Sequence, residues 1–159
     1  MGFYHVAQVC LNGHLITDSM DQSFGLSTPF CSKCGAPTIT ACPSCNAPLH
    51  GDYDCSIPVI GTTTSVDAYC YQCGKPYPWT ESALQSAKQL IMEEDSIAES
   101  DKTAAIESLP DIVSETPNTN LAVVRMKKII ASAGKFTSDA IRKFVIDFGC
   151  KLAIQMLTS

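Results

Sequence analysis

Four short segments in the first half of this 159-residue chain each carry two metal-binding side chains: Cys10 and His14 (CLNGH), Cys31 and Cys34 (CSKC), Cys42 and Cys45 (CPSC), Cys70 and Cys73 (CYQC). A C-x2-C pair in a tight turn sets two thiolates on one side of the backbone, at a separation that suits a tetrahedral ion with Zn–S bonds of about 2.3 Å. Two such turns complete the shell, so four turns predict two structural zinc ions. Gly35 and Gly74 each follow a pair, and Gly13 lies inside the first segment. These are the places where such a turn needs positive φ.

Chain order joins the first segment to the second and the third to the fourth. One ion then takes Cys10, His14, Cys31 and Cys34, and the other takes Cys42, Cys45, Cys70 and Cys73, with 16 and 24 residues between the paired turns. The spacing leaves a second arrangement open. The two central turns, only seven residues apart, would bind together and leave the outer two to each other. His5 and His50 are the substitutes if His14 is not a ligand, and Cys55 and Cys150 stand outside the pairs. Four protein ligands at each ion leave no open position, which is the chemistry of a folding element rather than of a catalyst.

The first ten residues, MGFYHVAQVC, show no basic start, long apolar stretch or small-residue cleavage site, so a cytoplasmic protein is expected. In a reducing compartment, paired cysteines are metal ligands more often than disulfides. A hydrophobic share of 45% with 17% charged residues predicts a folded globular chain. The most apolar stretch, Phe144 to Leu157, is interrupted by Asp147, Lys151 and Gln155, and no membrane span is expected.

Charge divides the chain into zones of −3 (residues 1–79), −7 (80–120) and +5 (121–159). These are the expected divisions: a double zinc-ribbon region, an acidic helical segment and a basic amphipathic helical tail. The acidic and basic zones are candidates to pack on each other or on a second copy. In the first zone, Phe3 to Val9, Thr38 to Thr40 and Ile57 to Tyr71 read as short strands. No repeat is evident beyond the cysteine pairs.

From Thr80, an N-cap candidate, the apolar spacing becomes helical. A second helix is expected from Ser100 or Asp101 to just before Pro110, a third over about Leu121 to Ala133 and a fourth over about Ser138 to Leu157. Ser114 to Asn120 is the connector, and Gly134 is placed for a C-terminal cap. Ile141, Phe144, Val145, Phe148 and Leu152 form one apolar stripe of the last helix, and Ile146, Cys150, Ala153 and Leu157 form another. The fold class that follows is small α+β, with N-terminal zinc-ribbon modules and a C-terminal region of about four helices.

Nothing else in the sequence carries recognisable chemistry. There is no G-x-S-x-G, no phosphate-cradling G-x-x-x-x-G-K-[ST] and no H-E-x-x-H. The ribbon zone has Lys33 and Lys75 against five carboxylates, the wrong balance for a phosphate backbone. The basic residues Arg125, Lys127, Lys128, Lys135, Arg142, Lys143 and Lys151 lie on the terminal helices. Trp79, the only tryptophan, is expected to plug the junction between the last knuckle and the first helix.

The series C-x-N-G-H (Cys10 to His14), F-C-x-K-C-G-A followed by C-x-x-C (Phe30 to Cys45), Y-C-x-x-C-G-K-P-Y-P-W-T-E (Tyr69 to Glu81) and T-P-N-T-N-L-A-V-V-R-M-K-K (Thr116 to Lys128) resembles a bacterial zinc-ribbon family catalogued as a domain of unknown function. The likeness covers nearly the whole chain. It departs at Asn118, where the family's T-P-x-T segment is expected to carry arginine. The resemblance implies a small cytoplasmic bacterial protein of ribbon and helical parts. The expected function is that of a non-enzymatic zinc-binding adaptor or assembly protein, acting through a protein partner or as a homo-oligomer by its helical tail. Nucleic-acid binding by the basic helices is the alternative.

Overall fold

In the computed structural model, residues 2–22, 24–55, 57 and 64–159 are described, and the chain forms two compact units, Met1–Glu81 and Ser82–Ser159. Strands in two small sheets come first and helices follow, so the α+β class holds, with five α-helices among the described residues.

In the first unit, β1 (Phe3–Val6) pairs antiparallel with β5 (His50–Asp54). β2 (Gln8–Cys10) lies between β3 (Leu15–Thr17) and β4 (Thr38–Ile39). The single strand expected over Phe3 to Val9 is therefore two strands in two sheets. Ala7 breaks it: its N–H leaves both ladders for the Leu49 carbonyl at 3.0 Å, and its side chain is buried. Much of the strand expected over Ile57 to Tyr71 lies outside the described residues. From Thr64 onward only an isolated bridge, Tyr69 to Pro76, forms.

The core of this unit is small. Ala7, Val9, Leu49, Tyr77 and Trp79 pack with the cysteines Cys42 and Cys70, so two of the prospective ligands are also core residues. Trp79 is 4% exposed, stacks on Tyr77 at 4.8 Å and donates Nε1–H to the Asp67 carbonyl at 2.8 Å. Gly13, at φ +90°, lies directly beneath it, and a methyl group there would sit 3.0 Å from Trp79 Cβ.

Helix α1 (Pro78–Met92) begins two residues before the expected cap. Proline suits the first turn, where its missing N–H has no helical partner in any case. Thr80 is thus not an N-cap. It is 1% exposed, and its hydroxyl donates to the Ala68 carbonyl at 2.7 Å.

In the second unit, α3 (Thr119–Ser132) packs against α2 (Glu99–Val113), α4 (Lys135–Phe148) and α5 (Lys151–Thr158). Ile112, Val123, Met126, Ile129, Ile141 and Val145 fill the core. Three boundaries differ from expectation. Helix α2 runs through Pro110 to Val113: the proline removes one hydrogen bond near the C-terminal end, and burial of Ile112 and Val113 outweighs that loss. Gly134 is not a left-handed C-cap. Ala133 caps α3, and Gly134, at φ −61°, starts α4.

The expected last helix is broken at Gly149 and Cys150, where Cys150 N–H turns to the Ile112 carbonyl at 2.8 Å. Only part of the wide apolar surface is covered. Ile141, Phe144, Val145 and Ala153 are buried, whereas Ile146 is 52% exposed. No helix among the described residues is long and apolar enough to cross a membrane.

The connector is built by its threonines. Thr119 Oγ1 donates to the Asp111 carbonyl at 2.8 Å and accepts Thr116 N–H at 2.9 Å. Asn118 is exposed and makes no side-chain cap bond.

Candidate metal centres

Each of the C-x2-C turns folds on the same scaffold. In the second turn Cys31 N–H bonds the Ala36 carbonyl and Gly35 N–H bonds the Cys31 carbonyl, at 2.9 and 2.8 Å. The third repeats this with Cys42 to Ala47 and Asn46 to Cys42, both at 2.8 Å, and the fourth with Cys70 to Lys75 and Gly74 to Cys70, both at 2.9 Å. An isolated bridge closes each: Phe30 to Pro37, Ala41 to Pro48, Tyr69 to Pro76.

The repeat is therefore longer than the cysteine pair. It is an eight-residue unit, FCSKCGAP, ACPSCNAP and YCYQCGKP, whose shared proline was a signal available in the sequence. Residue six of the unit has positive φ in all three, 73° at Gly35, 66° at Asn46 and 74° at Gly74. Asparagine serves there because it tolerates the left-handed region better than other non-glycine residues. The first segment is different: it is the β2–β3 hairpin, with Cys10 N–H on the His14 carbonyl at 3.0 Å and Gly13 N–H on the Cys10 carbonyl at 2.9 Å.

The fold brings these turns together in two groups, Cys10, His14, Cys31 and Cys34, and Cys42, Cys45, Cys70 and Cys73, and in each all four ligand atoms lie within 4.8 Å of one another. This is the arrangement that chain order favours, and the direct joining of the two central turns does not occur. In the first group Sγ of Cys10 is 3.7 Å from Sγ of Cys34, and His14 Nδ1 is 3.4 Å from Cys10 Sγ and 3.6 Å from Cys31 Sγ. In the second, Cys42 and Cys73 are 3.8 Å apart and Cys45 and Cys70 are 3.6 Å apart. A tetrahedron with bonds of about 2.3 Å has edges of about 3.8 Å. Both groups therefore fit a single tetrahedral ion.

The sulfurs also carry donors. Backbone N–H groups of His14, Lys33 and Gln72 point at Cys10, Cys31 and Cys70 at 3.3, 3.4 and 3.4 Å. The amide of Asn12 donates to Cys34 at 3.3 Å. Asn12 is the residue that sequence reading passed over, although it sits inside CLNGH.

These donors divide the thiols. The Ala36 N–H, with the Asn12 amide, brings Cys34 down to about 6. The Cys73 and Gln72 N–H groups bring Cys70 down to about 6. At Cys45 the Ala47 N–H pulls the other way but is outweighed by desolvation and the neighbouring thiols, and the group rises to about 11. Burial likewise raises Cys10. Three or four thiols at contact distance cannot all ionise against one another, and a cation at their centre removes that conflict.

The two substitute histidines are engaged elsewhere. His5 is buried with Nδ1 2.9 Å from Asp21 and Nε2 3.5 Å from Asp54. His50 is stacked between Tyr4 and Tyr71 at 3.9 and 3.7 Å. Cys55, half-buried, directs its thiol at the Ile57 carbonyl at 3.1 Å, and Cys150, also half-buried, sits at the α4–α5 break.

No curated protein and no solved structure matches the chain. The model of one family matches residues 3–155, which include all eight clustered cysteine and histidine residues. The chain belongs to that family, described as "Uncharacterized protein conserved in bacteria (DUF2321)".

Proposed function

We propose that this is a cytoplasmic zinc protein whose two ions hold its first unit together and whose work is to bind another protein chain, not to catalyse. The observation that carries the reading is the pair of closed four-ligand groups, three sulfurs with one imidazole nitrogen and four sulfurs. Soft tetrahedral sets of this kind select zinc over the hard divalent cations, and with every position filled there is none for a substrate or an activated water. Metal analysis of purified protein tests this part. Two zinc per chain is the expected content, whereas iron with strong visible absorption, or no metal, would overturn it.

The adaptor role is supported by what the helical unit leaves uncovered. Leu121 and Val124 on α3 and Phe136 and Ile146 on α4 are between 50% and 82% exposed. Its basic residues, by contrast, are partly neutralised at home. Lys128, Lys135 and Lys143 meet Asp101, Asp139 and Asp147 at 3.0, 3.0 and 2.6 Å, which favours a protein over a nucleic-acid partner. Light scattering and affinity capture on the full chain, with Phe136→Glu and Ile146→Glu beside the native protein, test it. Loss of self-association or of a captured partner in the variants is expected. A native chain that is monomeric and captures nothing, or variants that behave like it, would sink the role.

A further inference from the structure

Tyr77 is among the largest fully buried side chains, at 1% exposure, and its hydroxyl is the one buried side-chain polar atom without a hydrogen-bond partner among the described residues. Buried hydroxyls are almost always bonded, because leaving one unpaired forfeits its hydration without return. The backbone of this tyrosine is fixed by the fourth knuckle. Cys70 N–H bonds Lys75, Tyr77 N–H bonds Ala68 at 3.0 Å, and the Tyr69 to Pro76 bridge closes between them, so Cys70 and Tyr77 stand at the root of the same turn and share one core. Among the buried side chains of that core only Cys42 and Cys70 offer an acceptor atom, and Cys70 is the one on the same turn as Tyr77.

We propose that Tyr77 donates its hydroxyl hydrogen to the Cys70 sulfur when that sulfur ligates the second ion, and so positions the ligand from outside the four-residue shell. A metal-bound thiolate is a charged acceptor, and a hydrogen bond to it is among the stronger kinds. Groups that orient ligands in this way typically alter metal affinity by about 10–100-fold when removed. The pairing also gives the second centre what Asn12 gives the first, a side-chain donor on one sulfur. It rests on the zinc reading above.

The test compares native protein with Tyr77→Phe, which keeps the ring and its stacking on Trp79. Competition with a chromophoric chelator is expected to show a loss of about tenfold or more at one of the two sites and none at the other. With cobalt(II) as probe, the sulfur-to-metal charge-transfer band should move to lower energy, a change that mere loosening of the core would not produce. Unchanged affinity at both sites with an unchanged band overturns the proposal.

Should the variant fail to fold, native protein loaded with cadmium-113 gives the answer. A slowly exchanging phenolic proton coupled to one cadmium nucleus supports the bond. Its absence would assign the hydroxyl to a water or other small ligand in the adjoining cavity lined by His50, Ser65 and Asp67. If the native chain takes up no ion at the second cluster, this proposal and the zinc reading fall together. If it does and Tyr77→Phe changes nothing, only the role of Tyr77 falls.

Discussion

The two units are of nearly equal length, yet they reach stability by different means. Ser82–Ser159 is an ordinary helical assembly whose core is built from apolar side chains such as Ile112, Val123, Met126, Ile129, Ile141 and Val145. Met1–Glu81 has four strands of three to five residues and a fifth of two, and a core in which cysteines stand among a few apolar side chains. Short strands bury too little apolar surface to offset the chain entropy of so many turns, and in such modules metal binding supplies the difference. If the ions bind as proposed, the contrast teaches that one small chain can contain two stabilities, one set by packing and one by chemistry.

Stripping the metal should expose that contrast most sharply. A chelator acting on the full chain is expected to unfold the ribbon unit, since structural zinc in such modules contributes about 10–16 kcal/mol at neutral pH. Trp79 reports it directly, because the only tryptophan is buried in that unit's core. Its emission should shift to the red while far-UV circular dichroism keeps most of its helical signal. Loss of both together would erase the difference between the units.

The reverse experiment strikes the packing. Ile112, fully buried, replaced by alanine should destabilise the helical unit by about 2–5 kcal/mol. Metal content should stay at its native value. A loss of zinc on this substitution would show that the units do not fail separately.

Within the ribbon, Gly13→Ala combines a positive φ with a methyl group 3.0 Å from Trp79 Cβ. A cost of about 1–3 kcal/mol is expected, read from chemical denaturation followed by Trp79 fluorescence. Gly35→Ala, where the space is open, should lose less, since only the backbone strain remains. Equal losses at the two positions would mean that Trp79 does not rest on Gly13.

The smallest effects concern pH, and the units should respond in opposite senses. The Asp21 carboxylate, helped by Asp54, outweighs burial and raises His5. Its contribution is therefore full below about 6.5 and is lost as pH rises through the higher native value. Glu94 is held down to about 2 by hydrogen bonds from Thr137 and Ser96, with Gly134 N–H at the start of α4 adding to them. Its contribution is present above about 4.5 and fades as pH falls toward 2. Denaturation midpoints across pH, with His5→Gln and Glu94→Gln as controls, should flatten these two slopes separately. Slopes that survive the substitutions would place the linkage on other groups.

Much of this was legible because it is local. The ligand pairs follow from short spacings, Gly13, Gly35 and Gly74 mark turns that need positive φ, and the change from strand to helix follows from the period of apolar residues near residue 80. The belonging of Asn46 to the same set was hidden only because it is not glycine. Helix ends were less legible, since competing partners lie far off in sequence. Thr80 looked like a cap but bonds Ala68, Pro110 looked like a stop but is carried by the burial of its neighbours, and Gly149 and Cys150 break a continuous periodicity because Ile112 offers a carbonyl.

The sequence by itself thus determined which side chains can hold ions, where the chain turns around them and which half is helical, because each of these depends on residues within a few positions of one another. Tertiary structure decided how the four turns pair, that His5 and His50 are occupied by Asp21 and by Tyr4 and Tyr71, and that Tyr77 carries a buried hydroxyl without a partner. Those outcomes depend on which distant surfaces close on each other to bury apolar groups and satisfy polar ones, and no spacing along the chain encodes that choice alone.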